Sequence, residues 1–103
     1  MGSLIPKQDL FTVLVARLIL YAHCIGFRLS FGDAWDRDND GDHIQDSAHH
    51  DRLAIDLNLF TYDNVWLRET EDHVQLGIFW ESLNEDCVWG GRWSDGNHYE
   101  MRR

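Results

Sequence analysis

The stretch LAIDLNLF, Leu53 to Phe60, constrains this chain more than any other. Read as a strand, it sends Leu53, Ile55, Leu57 and Leu59 to one face and Ala54, Asp56, Asn58 and Phe60 to the other. The aliphatic face demands a core. Asp56 demands something else, because burying a charge is costly unless it is paired or coordinates a metal. The strand therefore packs on one side, and Asp56 lines a cleft on the other.

Other elements arrange themselves around it. Lys7–Ile25 suits a helix, with Leu10, Leu14, Leu18 and Ala22 at helical spacing, Pro6 near its start and Gly26 as its stop. FRLSFGDAW, Phe27 to Trp35, alternates as a strand, with Phe27, Leu29 and Phe31 on one face. A turn at Thr61–Asn64 leads to a short return strand over Val65–Leu67. Thr70 then caps a helix that runs to Leu83 and buries Leu76, Phe79, Trp80 and Leu83. Val88–Trp93 and His98–Met101 read as strands joined by Ser94-Asp95-Gly96-Asn97. The order α-β-β-β-α-β-β predicts an α+β domain, its helices packed against a small antiparallel sheet. At 103 residues, one domain over 1–103 is expected.

Charge and composition narrow the partners. A net charge of -9 argues against nucleic acid and anionic lipid, which both need a basic footprint. A hydrophobic share of 44% is too high for a disordered acidic tail. The apolar run LFTVLVARLILYAHCIG is broken by Arg17, too short to span a bilayer and unlike a signal peptide. We therefore expect a protein kept in the cytoplasm, without membrane insertion, and nothing demands more than a monomer. Cys24 and Cys87 are too few for a disulfide framework and read as free thiols.

His49, Asp56 and His98 make a coherent zinc set, with a fourth position left for water. Asp95, three residues before His98, is placed to act as general base. Glu100 shares a strand face with His98 and suits a supporting role behind that ligand. Each residue also has a plainer reading. His49 and His50 fit a solvated loop, Asp56 fits an ion pair with Arg52 or Arg92, and Asp95 fits an ordinary turn former.

The order of these residues resembles a known family. Ser47-x-His49 followed by Ala54-x-Asp56 resembles the first motif of zinc D-alanyl-D-alanine and L-alanyl-D-glutamate peptidases. Trp89-Gly90-Gly91-x-Trp93, then Asp95-x-x-His98-Tyr99-Glu100, is similar to the closing motif of the small phage endolysin branch. The resemblance implies a hedgehog-type peptidase fold and bacterial peptidoglycan stem peptide as substrate. It implies His49, Asp56 and His98 as zinc ligands, Asp95 as the catalytic base, and Ser47 in support of the first ligand. Asp at the base position, with the Trp-Gly-Gly lead-in, leans toward cleavage between L-alanine and D-glutamate. For a lysis enzyme, it also implies residence in the host cytoplasm before release to the wall. Such peptidases often carry an arginine soon after the FGDAW-like strand, a role for which Arg37 is the candidate. Where the family has a glycine between the first ligand and the alanine, this chain has Arg52.

DRDNDGDHIQDS, Asp36 to Ser47, raises a second metal. Asp36, Asp38, Asp40 and Gly41 match the opening positions of an EF-hand loop, but Ser47 stands where the closing glutamate belongs. Asp36, Asp38, Asp40, Asp42 and Asp46 crowd five carboxylates into eleven residues, and a bound calcium ion relieves that repulsion. Because the loop runs into Ser47 and His49, calcium there is expected to order the zinc site.

Overall fold

The computed structural model describes residues 3–32 and 50–103. Its element order is α1 (Ile5–Cys24), β1 (Arg28–Phe31), β2 (Ala54–Phe60), β3 (Trp66–Leu67), a 3-10 turn (Thr70–His73), α2 (Val74–Leu83), β4 (Cys87–Trp89), a second 3-10 turn (Gly90–Trp93) and β5 (His98–Met101). The strands form an antiparallel sheet in the order β1-β2-β5-β4, and β3 also pairs with β2. This is the expected α+β architecture, a small antiparallel sheet with helices against it. Among the described residues, no helix is long and apolar enough to cross a membrane.

The period-two pattern of β2 governs the packing. Leu53, Ile55, Leu57 and Leu59 are buried, and they meet Phe11, Leu14 and Leu18 of α1 and Leu76 and Trp80 of α2 in one core. Trp80 is fully buried, edge-on to both Phe11 and Tyr99. Its indole N–H donates to the carbonyls of Val88 and Glu100 at 3.2 and 3.0 Å, so the buried polar atom is satisfied. Truncating such a side chain costs about 3–5 kcal/mol. Asp56, Asn58 and Phe60, on the other face, are only half-buried.

Helix α1 ends where Gly26 predicts. Gly26 takes φ +100°, its N–H bonds the His23 carbonyl, and the Phe27 N–H bonds the Ala22 carbonyl, the two bonds of a Schellman stop. Other expectations are corrected. Glu69, not Thr70, caps the second helical segment: its side chain takes the Asp72 N–H while the Asp72 carboxylate takes the Glu69 N–H. The expected strand Val88–Trp93 is β4 only as far as Trp89, and the glycine pair then turns the chain into a 3-10 turn. Phe31 is exposed rather than packed with Leu29. The expected end of that strand, residues 33–35, lies outside the described residues.

Candidate active site

Strands β2 and β5 run antiparallel with Asp56 directly opposite His98 and Ala54 opposite Glu100. Cross-strand partners share a face. Asp56, His98 and Glu100 therefore gather on the sheet face turned away from the helices. His98 Nδ1 lies 3.2 Å from Asp56 Oδ1, and Nε2 lies 2.7 Å from Glu100 Oε1. Asp95 Oδ2 stands 4.0 Å from the same Nδ1.

This geometry poses a chemical problem. A neutral imidazole has one N–H, yet both ring nitrogens of His98 face carboxylates. Either a second proton or a cation must lie on the Asp56 side once Glu100 holds Nε2. Burial opposes a charged ring, but the hydrogen bonds it donates to Asp56 and Glu100, and their charges, outweigh it and push His98 up to about 9. A carboxylate behind one nitrogen and an oxygen ligand before the other is the arrangement that orients histidines toward metals. The donor set thus fits a zinc ion between Asp56 and His98. Among the described residues, no three His, Cys, Asp or Glu side chains are gathered to hold a metal. His49, the expected third ligand, lies outside them.

The turn carrying Asp95 is fixed from below. The Asp95 N–H donates to the Gly90 carbonyl at 2.9 Å, and the His98 N–H donates to the Asp95 carbonyl at 3.1 Å. A side chain on Gly90 would meet the Asp95 carbonyl at 2.3 Å and His98 Cβ at 2.7 Å, so only glycine fits there. Trp89 has an equally tight slot. A methyl on Gly77 of α2 would strike its indole at 2.2 Å, and one on Gly91 at 2.3 Å. From that slot its N–H donates to the Gly96 carbonyl at 2.7 Å. The Trp-Gly-Gly sequence therefore builds the scaffold of the Asp95 turn. Trp93 is different: it is half exposed and meets the His98 ring edge-on at 5.7 Å.

Residues 44–101, more than half of the chain, match the sequence profile of the D-alanyl-D-alanine carboxypeptidase family. The chain belongs to this family. It is a peptidase of the kind that acts on peptidoglycan. A search of curated proteins finds no match to the chain.

The carboxypeptidase-family match takes in Asp46, Ser47, His49, Asp56, Asp95, His98 and Glu100, and leaves out α1 and β1. Of the residues singled out in the sequence, the fold brings together Asp56, Asp95, His98 and Glu100. Asp36, Arg37, Asp38, Asp40, Asp42, Asp46, Ser47 and His49 lie outside the described residues. An Asp56–Arg92 ion pair is not formed, since Arg92 makes a two-point contact with Glu81 at 2.7 Å. That contact holds the Glu81 carboxyl below its usual range. Arg52, at the family's glycine position, has φ 58°, the left-handed backbone for which glycine is the easier occupant.

Beside Asp95 a polar cleft of about 210 Å³ opens where β3 and β5 part along the edge of β2. His73 lies in its lining, 2% exposed, with Nδ1 2.8 Å from the Tyr99 hydroxyl. Burial outweighs the nearby Asp72 and pulls His73 down to about 4, so it is neutral at physiological pH. Burial also raises Tyr99, which stays protonated. Sequence reading passed over His73. A signal was present: it stands three residues before Leu76 and seven before Trp80, on their buried helical stripe.

Proposed function

We propose that this chain is a zinc-dependent endopeptidase of the phage endolysin type, which hydrolyses the L-alanyl-D-glutamate bond of the peptidoglycan stem. The observation that carries the reading is His98, flanked by Asp56 on one nitrogen and Glu100 on the other, with Asp95 beside them. Asp56, His98 and His49 would hold zinc, which supplies Lewis acidity to the scissile carbonyl and to water. Asp95 takes the proton of the attacking water and returns it to the leaving amine, a role suited to a half-exposed carboxylate on a fixed turn. Glu100 holds His98 in one orientation. Trp93 walls the site on the solvent side. Ser47 supports the first ligand, Arg37 contacts substrate, and calcium on the Asp36–Asp46 loop orders both.

A second reading, D-alanyl-D-alanine carboxypeptidase, uses the same residues and is favoured by the description of the matching family. Products separate the two. Purified peptidoglycan is digested with the zinc-loaded protein and with Asp95→Ala, and new termini are read by mass spectrometry. We expect an amino-terminal D-glutamate from the intact protein and a loss of about 10²–10⁴-fold in rate for Asp95→Ala. Free D-alanine instead selects the carboxypeptidase. No cleavage by either protein, with zinc bound, points to a wall-binding domain without catalysis.

A further inference from the structure

We propose that Arg68 recognises a carboxylate of the stem peptide in the cleft that contains Asp95. This rests on the peptidase reading and adds to it the residue that selects an acidic substrate. The cleft is lined on one side by Trp66, Leu67, Arg68 and Thr70, and on the other by the turn that holds Asp95. With His73 neutral, Arg68 is the one cation among the described residues that line the cleft.

The guanidinium carbon of Arg68 sits 4.7 Å from the centre of the Trp66 ring. Stacking of this kind occupies the face of the guanidinium and leaves its N–H edge available. That edge is the part that grips a carboxylate with two parallel hydrogen bonds. Among the described residues, no acidic side chain takes it up. Arg92 is held by Glu81 and Arg103 by Asp51, in two-point contacts of 2.6–2.8 Å. Arg28, stacked on Tyr62, also meets no acidic side chain among the described residues, but Arg68 is the one that lines the cleft with Asp95. An acidic peptide approaching so negative a protein needs a local cation to settle against. Trp66 also stacks with Phe60 of β2, which ties the Arg68 platform to the strand that bears Asp56.

A stem peptide with lysine at its third position carries two candidate carboxylates, that of D-glutamate and that of the C-terminus. Three peptides separate them: the native one, one amidated at D-glutamate, and one amidated at the C-terminus. Each is titrated by calorimetry into zinc-loaded Asp95→Asn protein, which binds without turnover, with Arg68 intact or as Arg68→Gln. We expect Arg68→Gln to weaken the native peptide about 10–100-fold, and one of the amidated peptides not at all. The peptide that loses its sensitivity names the carboxylate. An equal loss for all three peptides, or none for any, overturns the proposal. So does failure of every peptide to bind with Arg68 intact. Cleavage of peptidoglycan by the otherwise unaltered chain, scored separately, then shows whether the peptidase reading survives on its own.

Discussion

His73 and His98 are both buried, at 2% and 7% exposure, yet their proton affinities move in opposite directions, down to about 4 and up to about 9. Each meets β5 through adjacent residues. His98 is part of the strand and faces the carboxylates on the open side; its neighbour Tyr99 faces the core and holds His73. Burial alone favours a neutral ring in both places. The partner decides the outcome. A phenol hydroxyl satisfies a neutral imidazole, whereas two carboxylates leave a ring that wants a second positive charge. One histidine is suited to floor a cleft and the other to hold a cation.

The largest test of this contrast is stability against pH in the metal-free protein. His73 has a folded value below its unfolded 6.5, so its contribution is full above 6.5 and is lost as pH falls toward about 4. His98 has a folded value above 6.5, so its contribution is full below 6.5 and is lost as pH rises through about 9. The histidines together should give a stability maximum near pH 6.5, with each limb falling by on the order of 2–3 kcal/mol. Zinc should remove the alkaline limb, because a ligated His98 has no second proton to lose, and leave the acid limb in place. Thermal melts from pH 4 to 9, with and without zinc, read both limbs. An alkaline limb untouched by zinc would separate His98 from the metal.

Glu100→Gln sharpens the comparison at the other nitrogen of His98. The amide keeps an acceptor but loses the charge. Zinc affinity should fall about 10–100-fold, and the His98 titration followed by NMR should move down from about 9. An unchanged affinity would make Glu100 a bystander.

Tyr99→Phe is the matching change at His73 and the smallest in effect. It removes the 2.8 Å partner and leaves a buried ring nitrogen unpaired, at a cost of about 1–2 kcal/mol in unfolding free energy. Zinc affinity should stay within about twofold. A large loss of zinc would couple the two histidines through β5, contrary to the division drawn here.

Much of this was legible from local pattern. The alternation in Leu53–Phe60 separated core from site, and the two-residue spacing of His98 and Glu100 put them on one face before any pairing was known. What local pattern does not contain is register. Asp56 meets His98, 42 positions away in the sequence, because β2 pairs with β5, and a one-residue slip would send Asp56 elsewhere. Trp89 illustrates a second limit. Its slot needs Gly77 of α2 as well as Gly91, and nothing in the local sequence joins α2 to the turn after β4. Trp66 sits in a two-residue strand and Arg68 just after it, a stretch too short and mixed to show a face.

The central claim is that Asp56 and His98 hold a metal and His73 does not. Calorimetric titration of zinc into the intact chain, Asp56→Asn and Tyr99→Phe tests it most directly. One tightly bound equivalent in the intact chain and in Tyr99→Phe, lost in Asp56→Asn, is the expected result. Zinc bound as tightly by Asp56→Asn as by the intact chain would contradict it.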